Sequence, residues 1–591
     1  MTRFQRLLNM KRLKIKKLVV GLILFVSITV NLFLYNHLFG YGAIAEKILK
    51  SPQYNKIYDI AKVTLKNIVD IPYIIYWFAP EDHIPIYNLV ISQEDIKKLN
   101  DNLPAEGFQF KGKRAKVPAK FTYNGKEYKV KASYRGDWAN HWAFKQKSWQ
   151  VDFSENYFGG FSSIGLIVSK DRGFFAEELS NYRAKKLGVK TPESKFIVLK
   201  INGERAGVYF QIENWGKDFL ERSDLSGDAN FYGENADAPL FDSVFYWKQY
   251  AADPNLIYAD YSQLDKLVRL VKDAPEEQFN KEIADLVDME NFYAWNIHSM
   301  LAGSTHQDGT HNIRLYFDNT IGKFKFIAWD VGLEKIDKIR TYEKNKPGID
   351  FINYTPIVAK ILKNDNFLKE RNRLLWQYVS DSGNLDDDIK HYDKLAKTYR
   401  YALYQDFNKR ITNWALDKNI AESRRLVEYN FNYIKDLFSS AEFKEKAVLG
   451  NGGTVKIGLA IRSYSPLALE DIKLSGATGK EDFIVYYDSN NNGKKDYADK
   501  KIGYLNYSEN GEYYFKPDNG DKILFETKRM WFKNNNPEFV VLKEIEGEEL
   551  QETTHYIFIA PKNSAGNSSL LNFSIKTILN NYYTKEDLTA L

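Results

Sequence analysis

Cysteine is entirely absent from this chain of 591 residues. Its absence excludes disulfide bonds, thiolate zinc sites and cysteine nucleophiles together. The glycine-rich phosphate-binding patterns G-x-x-x-x-G-K-S/T and G-x-G-x-x-G are absent as well. A phosphate-containing ligand of this chain would therefore have to be held by cationic side chains and a metal ion, without a glycine-rich loop.

A surplus of positive charge is also absent from most of the chain. The formal net charge is +6, but seven Lys and Arg residues with no acidic residue occupy residues 1–17, so the remainder carries −1. Nucleic-acid binding depends on clustered Lys and Arg that neutralise phosphates, so no nucleic-acid partner is expected. The aromatic content of 15% and the mixture of both charges are typical of folded protein, and a chain of this length predicts more than one domain.

Long hydrophobic runs are absent except for one, which occupies residues 18–39 and follows the basic segment directly. A helix of this length spans the ~30 Å hydrocarbon core of a bilayer. Because basic residues favour the cytoplasmic side, we predict a cytoplasmic segment at 1–17, a single transmembrane anchor at 18–39 and a large domain outside the cell membrane. A cleaved signal peptide is the alternative, since Ala43-Ile44-Ala45 resembles a cleavage site. A second apolar run, Ile71–Phe78, is too short to span a membrane and contains Pro72.

The rest of the chain predicts an α+β domain followed by a β-sandwich. Alternating apolar and polar residues surround Asn124-Gly125 and Asn202-Gly203, and Asn-Gly is the strongest short signal for a β-hairpin. Helical spacing recurs in the middle of the chain, whereas the tail consists of short alternating runs with frequent turns. The predicted organisation is a juxtamembrane spacer at 40–83, an α+β domain at 84–445 and a β-sandwich at 450–575.

The densest group of catalytic residue types lies between His306 and Asp330. Asp308 and Asn312 are four residues apart, and Asp330 follows the next predicted hairpin. An ATP-dependent phosphotransferase needs a carboxylate that accepts or orients the proton of the attacking hydroxyl, an amide oxygen beside the metal, and a second carboxylate that binds Mg²⁺. Asp and Asn are also ordinary turn residues, so the spacing alone leaves a purely structural role open.

Three ordered segments of the chain resemble the CotH family of atypical, spore-coat-type protein kinases. VDMENFYAWN, then Asp308 with His311-Asn312, then LYFDNTIGKFKFIAWD resemble the family's Asp, His-Asn, Leu-Tyr strand, Gly-Lys turn and Trp-Asp. Upstream, SYRGDWANHWAFKQKSWQVDF is similar to its Arg-Gly and Lys-Lys-Ser segment, and KINGERAGVYFQIENWGKDFLERS is similar to its Asn-Gly hairpin and Gly-x-Tyr…Glu segment. The resemblance covers residues 85–440.

The resemblance implies an atypical protein-kinase-like domain, with a sheet-containing lobe and a helical lobe, that binds ATP and Mg²⁺ and phosphorylates Ser on a partner protein. Asp308 would be the catalytic acid/base, and Asn312 and Asp330 would hold Mg²⁺. The residues implied for nucleotide binding are Arg135, Lys145, Lys147 and Glu213. The lysines have a solvated strand face as their alternative, and the glutamate would either face the nucleotide or brace its hairpin. The expected substrate is a protein of the cell envelope or cell surface.

The sequence departs from the family pattern around Asp330. It reads Ala328-Trp329-Asp330-Val331-Gly332, with no Pro before the Trp and no second Asp two residues after the first. The loss of that carboxylate removes a metal ligand, which Glu334 would have to replace. A catalytically inactive, kinase-like surface scaffold that binds protein or glycan is therefore the alternative function.

Two further groups contain metal-binding residue types. In the tail, DSNNNGKKDYAD places oxygen-bearing side chains and a glycine at the spacing of an EF-hand-like calcium loop. The candidate calcium-binding residues are Asp488, Asn490, Asn492, Lys494, Asp496 and Asp499. A plain polar turn is the alternative there. His298, His306 and His311 suggest zinc or hydrolase chemistry, although no HExxH motif accompanies them and local packing is the favoured interpretation.

Overall fold

The computed structural model describes a large part of the chain, with gaps. The described residues are 63–64, 66–80, 83–104, 109–110, 112–153, 157–235, 238–251, 260–338, 355–449, 454–474, 482–508, 513–518, 524–535, 544–562, 571–577 and 582–583. The predicted segments 1–17 and 18–39, and most of the predicted spacer at 40–83, lie outside these residues. Within the described part, no helix combines the length and the apolar character needed to cross a membrane.

The described residues divide into two compact units, and the predicted domain at 84–445 contributes to both. The first unit contains the described parts of residues 1–171, 194–213 and 399–417. It contains helix α1 (Gln93–Asp101) and seven strands. The strands are Ile86–Val90 (β1), Val117–Tyr123 (β2), Lys126–Tyr134 (β3), Trp149–Asp152 (β4), Ser163–Val168 (β5), Ser194–Ile201 (β6) and Glu204–Glu213 (β7).

These seven strands form a closed barrel in the order β1-β2-β3-β4-β5-β7-β6. Neighbouring strands are antiparallel except β1 and β6, whose parallel pairing of Ile86 with Val198 closes the barrel. Alternate residues of the strands bury aliphatic and aromatic side chains such as Tyr87, Phe121 and Val151 in one core. Closure leaves the barrel without a free sheet edge.

The two predicted hairpin turns are confirmed in this barrel. Asn124 and Gly125 have φ angles of 48° and 75°, and Asn202 and Gly203 have φ angles of 53° and 86°. Positive φ at both central residues defines the tight turn that matches the twist of antiparallel strands, and Asn and Gly tolerate it best. Asn202 also accepts a hydrogen bond from the backbone N–H of Ile91 and donates one to its carbonyl, at 2.8 and 2.9 Å.

The second unit contains the described parts of residues 172–193, 214–398 and 418–591. Its helices, two of which extend into the first unit's ranges, are Ala176–Lys186 (α2), Lys217–Arg222 (α3), Ser262–Asp273 (α4), Glu276–Leu286 (α5), Met289–Ala302 (α6), Pro356–Lys363 (α7), Asp365–Ser380 (α8), Ser382–Tyr404 (α9) and Asn413–Ser439 (α10). Its first four strands are Phe231–Glu234 (β8), Trp247–Ala251 (β9), Arg314–Asp318 (β10) and Lys323–Phe326 (β11). These strands form a sheet in the order β11-β10-β8-β9, and helices α4, α5, α6 and α7 share its hydrophobic core.

In the described part of the second unit's tail, the secondary structure consists of strands. They are Ala441–Leu449 (β12), Val455–Ser463 (β13), Leu467–Leu474 (β14), Phe483–Tyr487 (β15), Lys500–Tyr507 (β16), Tyr513–Pro517 (β17), Leu524–Phe525 (β18), Lys528–Asn535 (β19), Glu544–Gln551 (β20), Thr553–Pro561 (β21), Leu571–Thr577 (β22) and Tyr582–Tyr583 (β23). A six-stranded sheet and a four-stranded sheet bury side chains in one shared core, as a β-sandwich requires. Strand β12 begins at Ala441, before the predicted start of this region at 450.

Candidate active site

The candidate site begins where helix α6 ends. Asp288 caps the start of this helix by accepting a hydrogen bond from the backbone N–H of Asn291 at 3.2 Å. Gly303 ends the helix in the left-handed conformation with a φ of 63°. A Cβ atom at this glycine would collide with the backbone carbonyl of Glu334. The glycine therefore allows the loop at 304–313 to lie against the segment that follows β11.

Asp308 is held in this loop with its carboxylate largely buried. One carboxylate oxygen, Oδ1, accepts hydrogen bonds from the backbone N–H and the hydroxyl of Thr310, both at 2.7 Å, and from the backbone N–H of His311 at 2.8 Å. Burial raises the pKa of Asp308, but the hydrogen bonds and the charge interaction from His311 and Thr310 outweigh burial and hold the pKa below its usual value. Asp308 is therefore ionised at neutral pH.

Asp330 and Asn312 contact each other in the second unit. The amide nitrogen of Asn312 donates to Oδ2 of Asp330 at 3.1 Å and to the carbonyl of His306 at 3.0 Å. Asn312 has a φ angle of 61° and Asp330 a φ angle of 53°, and positive φ angles are uncommon for residues with a side chain. Gln307 joins the two segments by donating to the carbonyls of Trp329 and Asp330, each at 2.8 Å.

Glu334 lies near Asp330 by way of a histidine. The two ring nitrogens of His306 lie 3.8 Å from Oδ2 of Asp330 and 3.7 Å from Oε1 of Glu334. A Cβ atom at Gly332 would lie 3.5 Å from this ring, which is an ordinary van der Waals contact. The hydroxyl of Thr305 donates to the same Glu334 oxygen at 3.3 Å. Glu334 is the carboxylate that would have to replace the missing Asp. It lies on the opposite side of the His306 ring from Asp330.

Arg172 is the site residue that sequence reasoning missed. Its guanidinium forms an ion pair with Oδ1 of Asp330, and the same nitrogen lies 3.0 Å from Oε2 of Glu177 at the start of α2. The arginine side chain is only 9% exposed, so solvent screens these ion pairs weakly. Nothing in the local sequence around Arg172 indicates a partner more than 150 positions away. Asp330 is thus paired with a cation in this structure.

The residues implied for nucleotide binding all belong to the first unit. Arg135 donates from its guanidinium to Oε1 of Gln150 at 3.1 Å. Lys147 donates to the carbonyls of Trp142 and Phe144, both at 2.6 Å. Glu213 is buried at the end of β7, and Lys145 is exposed. The alternative interpretation of both lysines as a solvated strand face is wrong, because β4 starts only at Trp149 and the ammonium of Lys147 binds carbonyls of the preceding loop. Convergence of these residues with Asp308 and Asp330 on one nucleotide stays a prediction.

Comparison with known proteins decides the family. A family model described as "CotH kinase protein" matches residues 132–436, just over half of the chain. The chain belongs to the CotH kinase family. "Inner spore coat protein H" of Bacillus subtilis (strain 168) is 24% identical over 304 residues, which are 50% of this chain and 81% of that protein. The CotH match contains every residue from Arg135 to Asp330 discussed above, and the family indicates a kinase-like role.

The three clustered histidines of this CotH-family chain make separate contacts. His298 is fully buried in α6, where Nε2 donates to the carbonyl of Ser180 at 2.8 Å, and burial lowers its pKa to about 4. His311 contacts Asp308, and His306 lies between Asp330 and Glu334. Within the residues that the structure describes, no group of three His, Asp or Glu side chains is arranged to hold a metal ion. Local packing therefore accounts for His298.

The candidate calcium loop lies in the tail, outside the CotH match. Asp488 is buried and accepts hydrogen bonds from the backbone N–H groups of Asn492 and Gly493 at 3.3 and 2.7 Å. Oδ2 of Asp496 accepts from the side-chain amides of Asn490 and Asn492, at 3.1 and 2.8 Å. Lys494 contributes its backbone N–H to Asn492, and Asp499 accepts from the backbone of Asp496. The loop is thus ordered by its own hydrogen bonds, and calcium binding stays a prediction.

Proposed function

We propose that this CotH-family chain transfers the γ-phosphoryl group of ATP to a hydroxyl group, the side chain of Ser, on a protein of the cell envelope or surface. The observation that carries the proposal is the contact between Asn312 and Asp330, because Asn312 belongs to the same loop as the buried, ionised Asp308. All three lie within the region that matches the family model. The relative's description as an inner spore coat protein fits an acceptor in an outer layer of the cell.

In this proposal Asp308 accepts the proton of the attacking hydroxyl. The hydroxyl oxygen forms a bond to the γ-phosphorus, the bond from that phosphorus to the bridging oxygen breaks, and ADP leaves with the electron pair. The lowered pKa of Asp308 keeps the carboxylate unprotonated at neutral pH, as an acceptor needs to be. The hydrogen bonds from Thr310 and His311 fix one carboxylate oxygen in place.

The residues around Asp330 fit a magnesium ion by their chemistry. Carboxylate and amide oxygens are the hard ligands that Mg²⁺ prefers, and Asp330 and Asn312 supply both types. The guanidinium of Arg172 already occupies a cation position against Asp330, so the carboxylate is oriented to stabilise positive charge. When bound, Mg²⁺ would neutralise charge on the nucleotide phosphates. Arg172 would then have to leave Oδ1 of Asp330.

We further propose that the chain is tethered to the cell membrane through residues 18–39, with the CotH-type region outside the cytoplasm. The support is the sequence of the N-terminus, in which seven basic residues precede 22 residues without an acidic or basic side chain other than one His. The proposed acceptor is therefore a protein that shares this compartment.

A kinase-like scaffold without turnover is the competing function. Gly332 in place of a carboxylate and the pairing of Arg172 with Asp330 favour it, because each reduces the negative charge available to a metal ion. A thermal-shift titration of the full chain separates the two functions. Saturating ATP at 100 times its dissociation constant adds about 2.7 kcal/mol of stability, or roughly 5 °C, to a protein that binds it.

The proposed kinase responds to ATP only when Mg²⁺ is present and transfers labelled phosphate, whereas the scaffold does neither. Asp330→Ala should remove the magnesium-dependent shift. The matched control is Asp337→Ala. Like Asp330, Asp337 forms an ion pair, with Lys335 at 2.7 Å, and the two aspartate side chains are similarly exposed. An ATP response that survives Asp330→Ala in full would contradict the assignment of Asp330 to the metal.

A further inference from the structure

Residues 66–80 are arranged with their charged side chains inward and their apolar side chains outward. Lys66 and Asp70 are 5% and 2% exposed. Every exposed residue in this stretch is apolar. The large ones, 44% to 84% exposed, are Ile68, Val69, Ile71, Ile74, Ile75 and Phe78. Soluble proteins normally show the opposite pattern, so this face requires a partner.

Buried polar contacts within the first unit fix this orientation. The ammonium of Lys66 lies 3.6 Å from Oδ2 of Asp70 and donates to the carbonyl of Asp406 at 3.3 Å. Oδ1 of Asp70 accepts from the backbone N–H of Asn413 at 2.6 Å. Lys409 lies 3.9 Å from Asp70 as well. Turning the apolar side chains inward would withdraw the Asp70 carboxylate from the buried ammonium of Lys409 and from the N–H of Asn413. A buried charge that loses its partner costs several kcal/mol.

Aromatic contacts hold the second half of the stretch. Tyr73 donates its hydroxyl hydrogen to Asp417 at 3.1 Å. Tyr76 stacks on Tyr401 with ring centroids 5.1 Å apart. The amide of Gln405 donates to the carbonyls at positions 76 and 79, at 3.1 and 2.8 Å. Residues Ile71–Tyr76 form a 3₁₀-helix, one side of which faces residues 399–417 through these contacts. The side chains on its other side are exposed to solvent.

The exposed strip is large for a protein surface. At about 150–200 Å² for each fully exposed side chain, its six large residues present on the order of 600 Å² of apolar surface, the upper end of what a soluble monomer exposes. Trp414 is 66% exposed and follows Asn413, which bonds to Asp70. A tryptophan at the rim is typical of surfaces that lie at a membrane–water interface.

We propose that this strip lies on the lipid surface of the membrane, with its apolar side chains at the boundary between head groups and acyl chains. The described chain begins at Val63, only 24 residues after the apolar run at 18–39 ends. The strip is therefore in the first described part of the chain after the proposed span, on which this inference rests. It exposes no acidic side chain that anionic lipid would repel. Burial of apolar side chains at this boundary is how interfacial segments bind a bilayer.

The strip determines which face of the first unit meets the membrane, and this can be measured with single probes. The chain has no cysteine, so one substitution creates a unique labelling position in the full chain. Phe78→Cys and Phe245→Cys form a matched pair, because each Phe is 84% exposed. Ile75→Cys provides a second position in the strip. Each labelled protein is reconstituted in vesicles that contain lipid with a nitroxide on its acyl chain, which quenches only nearby fluorophores.

Lipid nitroxide should quench the fluorophores at 75 and 78 at least threefold more than the one at 245. The Phe245 control reports the proximity that a tether alone provides. Equal quenching at all three positions overturns the proposal. Protection of positions 75 and 78 from aqueous iodide without quenching by the lipid nitroxide overturns it too, because the strip would then be covered by protein, either the chain's own N-terminal segment or a second copy.

Discussion

Replacement of Asp388 by Leu should strongly destabilise the second unit. The Asp388 carboxylate accepts from Nε of Arg183 at 2.7 Å, and both side chains are completely buried. Without Asp388, the guanidinium keeps the carbonyl of Leu301, at 3.3 Å, as its one hydrogen-bond partner among the described residues. Removing one partner of a buried ion pair costs about 3–5 kcal/mol, so we expect a loss of about 4 kcal/mol. At roughly 2 °C per kcal/mol for a unit of this size, the midpoint should fall by about 8 °C.

Replacement of the other partner, Arg183→Leu, should lower the free energy of unfolding by less, about 2 kcal/mol. Asp388 would still have the ammonium of Lys186 at 3.5 Å and the hydroxyl of Tyr378 at 3.4 Å. The double variant removes both buried charges. Its loss in free energy of unfolding should be smaller than the sum of the two single losses by at least about 2 kcal/mol. Scanning calorimetry of the full chain measures all four proteins. Additive losses, or a larger loss for Arg183→Leu than for Asp388→Leu, would refute the reasoning.

Three further predictions concern the site and the tail. The pKa of His298 is lowered from its ordinary 6.5 to about 4 by burial, so its contribution to stability is complete above about pH 6.5 and is lost as the pH falls towards 4. That loss is about 3 kcal/mol, and melting curves of His298→Gln between pH 7 and 4.5 should lack this part of the pH dependence. Gly303→Ala should lower both the melting temperature and phosphate transfer, because the added Cβ atom would collide with the backbone carbonyl of Glu334 and displace the start of the site loop. Millimolar Ca²⁺ should raise the melting temperature of the full chain by a few degrees, and Asp488→Asn should abolish that response; an unchanged response in the variant would assign calcium elsewhere.

Local features of the fold are predictable from the sequence because neighbouring residues determine them. Asn124-Gly125 and Asn202-Gly203 specify their turns through the conformations that Asn and Gly tolerate. Ser92 caps α1 by accepting a hydrogen bond from the backbone N–H of Asp95, only three residues away, at 3.0 Å. Closure of the barrel cannot be predicted from neighbouring residues. It depends on the pairing of β1 with β6, whose residues lie more than 100 positions apart, and no local pattern encodes that pairing.

Some residues of the candidate site can likewise be proposed from the sequence, and others cannot. Asp308, Asn312 and Asp330 can be proposed from residue type and spacing, because one loop and one hairpin bring the last two into contact. Arg172 cannot, since its contact with Asp330 arises only when two distant segments pack together. The contacts of Lys147 with the carbonyls of its own loop cannot be predicted from the sequence either, and its role in nucleotide binding stays a prediction. The outward apolar strip is also invisible in the sequence, where Ile71–Phe78 resembles an ordinary buried segment.

The most direct test compares the initial rate of autophosphorylation with labelled ATP for Asp308→Asn and Asp318→Asn. The two aspartates are matched, because Oδ1 of Asp318 accepts from the N–H and hydroxyl of Thr320 at 3.0 and 2.6 Å, as Asp308 does with Thr310. If Asp308 accepts the proton in phosphate transfer, its variant should lose at least about 100-fold in rate while still binding ATP, and the Asp318 variant should remain within a few-fold of the unmodified chain. Equal rates for the two variants would contradict the catalytic assignment of Asp308.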